Sequence, residues 1–114
     1  MNSRTKGHGF ERWCAAKLRT IWPNVQTCRF AGNLWLDHCG VDLINTEPFN
    51  IQCKAVERLA PGHHEILQAM PKGRNINIIL HKKNNRGVIV VMDLEDFLRV
   101  MLPKHTPNAD NRLK

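Results

Sequence analysis

Long apolar runs are missing from this chain. The longest uninterrupted ones span a few residues, such as Gly87-Val88-Ile89-Val90-Val91-Met92, whereas a membrane-crossing helix needs about 20. No membrane span is expected. The opening Met1-Asn2-Ser3-Arg4-Thr5-Lys6-Gly7-His8-Gly9 lacks the apolar stretch and small-residue cleavage site of a secretion signal. A cytoplasmic location, in a cell or in a phage's host, is the expectation. Cysteine is sparse: Cys14, Cys28, Cys39 and Cys53 are widely separated and form no CxxC pair. That spacing points to free thiols in a reducing compartment. Asp37, His38 and Cys39, taken with Cys28, raise the idea of zinc, but the knuckle spacing such a site uses is absent. Seven glycines and six prolines are too few for a fibrous or wholly disordered chain. There is no internal repeat, no glycine-rich triphosphate loop and no HExxH helix, and Trp13, Trp22 and Trp35 form no regular ladder for stacking bases.

What is present is one domain's worth of sequence. The 114 residues, 42% apolar and 24% charged, suffice for a single core burying about 65% of the unfolded surface, and exclude a multidomain enzyme. Seventeen Lys and Arg against ten Asp and Glu give a net charge of +7, a field that favours polyanions without choosing among them. The basic groups Arg4, Lys6, Arg12, Lys72, Arg74, Lys82, Lys83 and Arg86 bracket the expected elements rather than forming one tail. They are therefore candidate nucleic-acid contacts, with a merely solubilising surface as the alternative.

Residues 9–22 set Phe10, Cys14, Leu18 and Ile21 along one side at helical spacing before the stop at Pro23. Strands are expected over 27–31, 41–45 and 50–56, an antiparallel meander broken at Gly32-Asn33 and at Asn45-Thr46-Glu47-Pro48. A short helix over 63–70, strands over 75–81 and 87–92 joined by Lys82-Lys83-Asn84-Asn85-Arg86, and a last helix capped by Asp93 complete the order. That order implies an α/β fold in which helices cover a mixed sheet. The domain is expected to occupy residues 1–102, with 103–114 a flexible tail.

Chemistry enters at two places. Glu11 lies near the packed side of the first helix, where a carboxylate needs a reason. Pairing with Arg12 and stabilisation by the helix dipole are the plain ones. In residues 50–56, period two sends Gln52 and Lys54 to one face and Ile51, Cys53 and Ala55 to the other. A tight connection at 45–48 would then set Asp42 opposite or diagonal to Gln52, with Asp37 as the substitute carboxylate if the register slips. Asp42, the Gln52 amide oxygen, the Cys53 carbonyl and Glu11 make an oxygen-rich donor set suited to magnesium, or to manganese. Lys54 would act on water or on developing charge. An ordinary half-solvated polar face is the other reading of the same residues.

Gly9-Phe10-Glu11-Arg12, Gly40-Val41-Asp42 and Ile51-Gln52-Cys53-Lys54 together resemble the restriction-endonuclease-like nuclease superfamily, known by its PD-(D/E)xK signature. They come nearest to the Holliday-junction resolvases of archaeal and phage type. The resemblance spans about half the chain. It implies a restriction-endonuclease-like core, with Glu11 as the helix glutamate, Asp42 as a metal-binding aspartate and Lys54 as the catalytic lysine. Gln52 stands in the usual second acidic place, as in Mrr-like members. A magnesium-dependent endonuclease acting on branched or four-way-junction DNA, working as a homodimer, is what the resemblance implies. The alternatives are a nuclease for ordinary duplex DNA and a non-catalytic basic nucleic-acid-binding or recombination scaffold. His63-His64 and His81 are read as basic or solvated, since adjacent helical histidines cannot face one site together.

Overall fold

The computed structural model describes residues 3–102, with side chains described from Lys6 onward. The Arg4 side chain and the expected tail at 103–114 lie outside the described residues. Among the described residues no helix is long and apolar enough to cross a membrane.

Among the described residues the fold is a small α/β arrangement of one mixed five-stranded sheet flanked by five helices. Helix α1 (Ser3–Leu18) begins six residues earlier than apolar periodicity alone marks. Phe10, Cys14 and Ala15 on its inner face are buried against the sheet. The helix ends at Leu18, so Ile21 turns outward to 63% exposure, and Trp22 packs on the core where Ile21 was expected.

Strand β1 (Gln26–Thr27) is only two residues long, and the chain then turns into α2 (Cys28–Ala31) and α3 (Leu34–His38). This corrects the expected strand over 27–31. The Thr27 hydroxyl accepts the Phe30 N–H at 3.1 Å, Gly32 ends α2 in the left-handed region at φ 73°, and the Asn33 side chain accepts the Leu36 N–H. Residues read as strand and break are thus caps, a role that Thr, Gly and Asn each suit.

Strands β2 (Leu43–Ile44) and β3 (Phe49–Ala55) pair antiparallel, and β3 pairs in parallel with β4 (Ile76–Lys82) through α4 (His63–Ala69). Strand β5 (Ile89–Val91) returns antiparallel beside β4 as an edge, followed by α5 (Leu94–Met101). Ile51, Cys53, Ile76, Ile78 and Leu80 face α1, whereas Ile79 meets Ile66 of α4 and Met70 directly after it. Leu43, Ile51 and Ile79 are essentially inaccessible to solvent. Cutting any of them back to alanine costs about 2–5 kcal/mol by lost transfer energy and cavity formation.

Candidate functional site

The alternation in β3 holds. Ile51 and Cys53 are buried on the α1 side. The parallel register Gln52↔Ile79 and Lys54↔His81 puts Gln52 and Lys54 on the α4 side. The Leu43↔Ile51 pairing brings Asp42, the residue just before β2, up against β3.

Asp42 is clamped on three sides. Its N–H donates to the Ile51 carbonyl at 2.8 Å, its own carbonyl accepts the Cys28 N–H at 2.8 Å, and its Oδ2 accepts the Cys53 N–H at 2.7 Å. It remains only 9% exposed. Burial pushes its carboxyl up to about 7. The Cys53 N–H opposes that shift, the neighbouring Glu11 and Asp37 carboxylates add to it, and the Lys54 ammonium pulls back. Of the other expected residues, Glu11 and Lys54 are thus within electrostatic reach of Asp42.

Gln52 joins them from beside Gly40. A side chain at Gly40 would put its Cβ 3.2 Å from the Gln52 Oε1, and the φ of +87° there already favours glycine. The Gly40-Val41-Asp42 sequence therefore has a packing reason: it lets the chain pass under the Gln52 amide.

Glu11 departs from both plain readings. It sits in the middle of α1, not in the first turn, and its partner is Arg29 rather than Arg12. The Arg29 Nη2 donates to Glu11 Oε1 at 3.1 Å and to Oε2 at 3.3 Å, and Nη1 lies 4.0 Å from Asp37 Oδ2. Nothing in the local sequence advertises Arg29, which is 18 residues away and reaches Glu11 only because α2 replaces the expected strand.

The hard-cation site is overturned. Among the described residues no group of three or more His, Cys, Asp or Glu side chains is placed to hold a metal ion. Both Glu11 oxygens face the Arg29 guanidinium, one Asp42 oxygen is engaged by the Cys53 N–H, and Gln52 brings no charge. Cys53 meets Asp42 through its amide rather than through its carbonyl. Magnesium and manganese are thus not supported by the donors that were expected to bind them.

The cysteines are free, as expected. Burial, together with Asp42, Asp37 and Glu11, pushes the Cys28 thiol up to about 12. Contact with Cys14 and burial raise Cys53 well above the ordinary thiol range. Neither supplies a thiolate nucleophile near neutral pH.

A histidine pair also lies beside the site. His81, in register with Lys54, is buried, and its Nε2 lies 2.7 Å from the Val56 carbonyl. A carbonyl only accepts, so Nε2 carries the proton and Nδ1 is left to accept from His63 Nε2 at 3.2 Å. Burial, then the neighbours His81, His64 and Lys83, lower the His63 pKa. The partner of His63 is thus a strand residue 18 positions on, which adjacency to His64 conceals.

Apart from Arg12, the basic groups fall into two sets. Lys6 donates to Asn84 at 3.2 Å, the Asn84 N–H donates to the Glu57 carboxylate, and Lys82, Lys83 and Arg86 share that turn. Because β3 and β4 run parallel, this is the same sheet end that carries Lys54. Arg12 is exposed on α1. Lys72 and Arg74 lie at the opposite end, before β4, and Lys72 lines a separate cavity of about 330 Å³ with residues of α4 and α5. Comparison with protein-family models, with curated proteins and with solved structures finds no match to this chain.

Proposed function

We propose that this chain is a restriction-endonuclease-like DNA phosphodiesterase that cuts branched DNA, with Asp42 as general base and Lys54 as the cation facing the scissile phosphate. The observation that carries the reading is the Asp42 carboxyl. It is buried, raised to about 7, and neighboured by Glu11 and by Lys54. A base works best when its pKa lies near the operating pH. In the reaction, the free oxygen of Asp42 takes a proton from water as the water oxygen bonds to phosphorus, the phosphorus–oxygen bond to one sugar breaks, and the departing sugar oxygen takes a proton from solvent water. The Lys54 ammonium offsets the charge that builds on the phosphoryl oxygens. Gln52 orients the water or phosphate through its amide, and the Arg29 guanidinium holds the Glu11 carboxylate in place. Lys6, Lys82, Lys83 and Arg86 hold the DNA backbone at the same sheet end.

The same reading makes the active species a pair of chains. Leu94, Phe97, Leu98 and Met101 of α5 stay 43–65% exposed, and no residue of that helix is fully buried. A second copy covering this stripe would set two cutting centres against opposed strands.

One observation favours a different reading. The Arg29 clamp on Glu11 and the missing cluster of metal-binding side chains suit a non-catalytic DNA-binding scaffold. Strand-resolved cleavage separates the two. Purified chain should cut an immobile four-way junction faster than a sequence-matched duplex at equal salt. Lys54→Ala should slow cutting about 10²–10³-fold while weakening junction affinity far less. Binding without cutting by the wild type assigns the scaffold role; equal losses of binding and cutting in Lys54→Ala reject the catalytic lysine.

A further inference from the structure

We infer that the cleft between α1 and the β1–α2 junction holds one unpaired nucleotide of a DNA strand, its base against the Phe30 ring and its phosphate against Arg12 and Arg19. The inference rests on the proposal that DNA is the ligand, and adds a site which that proposal does not use. The cleft measures about 240 Å³ and is lined by Arg12, Ala15, Arg19, Gln26, Thr27 and Phe30. That is below the roughly 300–1,000 Å³ of pockets that enclose a whole small molecule. It suits a single planar ring whose remainder lies outside.

Each wall has a chemical role. Phe30 is 81% exposed, yet it is not on a loose loop. Its own N–H is held by the Thr27 hydroxyl, and Gly32 closes the one-turn helix directly after Ala31. A rigid, uncovered aromatic face is a stacking platform, and stacking tolerates any base because every base has a π face. Ala15, 1% exposed, gives a flat floor. Arg12 and Ala15 stand three residues apart on one side of α1, and Arg19, just past its end, follows Ala15 by four, its N–H still bonded to the Ala15 carbonyl at 3.1 Å. The Arg19 Nε donates to the Val25 carbonyl at 2.9 Å, which fixes that guanidinium. Among the described residues neither arginine pairs with a carboxylate, so both remain available to an anion. Gln26 adds an amide able both to donate to and to accept from a base edge.

The location links the cleft to the proposed chemistry. Arg12 follows Glu11 on α1, and Phe30 follows Arg29 on α2, so the cleft opens beside the Glu11–Arg29 ion pair. A duplex presents bases that are already stacked and paired, and only an extruded or single-stranded base can lie on Phe30. Branch points and bulges supply such bases, so this cleft gives the chain a way to distinguish branched from continuous DNA.

The test is fluorescence anisotropy of the full chain with a short labelled duplex and with the same duplex carrying one extrahelical 2-aminopurine, at identical salt. Wild type should prefer the bulged duplex and shift the emission of the aminopurine. Phe30→Ala should lose about tenfold in affinity for the bulged duplex, as expected for one stacked base, and leave the plain duplex unchanged. Phe30→Trp should keep the preference, and far-ultraviolet circular dichroism should show all variants folded, since the ring makes little of the core. Arg12→Ala with Arg19→Ala should weaken bulged binding and flatten its salt dependence. Phe30→Ala with wild-type affinity for bulged DNA, or with equal losses on both duplexes, overturns the nucleotide site while the cleavage proposal stands. A wild type that binds neither duplex overturns the nucleotide site, and one that also fails to bind the four-way junction overturns both.

Discussion

At the scale of single residues, Asp42 carries a conflict between stability and chemistry. A carboxyl raised from 3.8 to about 7 on folding binds more protons in the native state than in the unfolded state between those two values. Its contribution to stability is therefore full below about 4 and is lost as pH rises through about 7. Ionised Asp42 then burdens the fold by an amount on the order of a few kcal/mol. Asp42→Asn keeps an oxygen to accept the Cys53 N–H and removes the charge. It should raise the urea midpoint at pH 8 and leave it nearly unchanged at pH 4; a lower midpoint at pH 8 would contradict the buried-charge account. Part of this residue-scale picture is legible in sequence. Period two alone puts Gln52 and Lys54 on one face, and a tight connection brings Asp42 beside β3. The Arg29 clamp on Glu11 and the His63–His81 pair are not legible, because each joins residues 18 apart through turns that no local pattern encodes. The metal expectation fails for the same reason: it took the Glu11 oxygens as free.

Among the elements, β3, β4, α4 and α5 fall within a residue or two of where apolar patterning and caps set them. Their signals are strong because alternation or helical spacing runs over seven or eight residues. The stretch from Cys28 to His38 is different. Its helices are too short to show a period, and β-prone residues around Thr27 outweigh the cap signals of Thr27, Gly32 and Asn33. Helix α5 carries its pattern to another end than core packing. Val100 touches the α1-side core, while Leu94 and Met101 remain about 65% exposed. If a second copy covers them, light scattering should give twice the chain mass for wild type. Leu94→Lys with Met101→Lys should give the single mass with an unchanged circular dichroism spectrum. A monomeric wild type would reject the paired assembly.

Across the whole molecule, the +7 charge is not spread evenly. Lys6, Lys82, Lys83 and Arg86 gather at the sheet end bearing Lys54, while Lys72 and Arg74 lie beyond the opposite end of β4. Seven residues of strand separate the two groups, about 23 Å at the usual rise, which is more than two Debye lengths at physiological salt. They act on different stretches of a polyanion rather than as one patch. An α/β fold with a mixed sheet is legible from the order of elements, because alternating helices and strands leave few ways to close a core. The surface grouping of charge is not, since it depends on the parallel register of β3 with β4.

The most direct measurement of the central claim is the rate of junction cleavage against pH, for wild type and for Asp42→Asn. With Asp42 as the base, the wild-type rate should climb about tenfold per pH unit below about 7 and level off above it. Asp42→Asn should be slower by about 10²–10⁴-fold and lose that break. A wild-type rate with no break near 7, or Asp42→Asn cutting at the wild-type rate, would contradict the account.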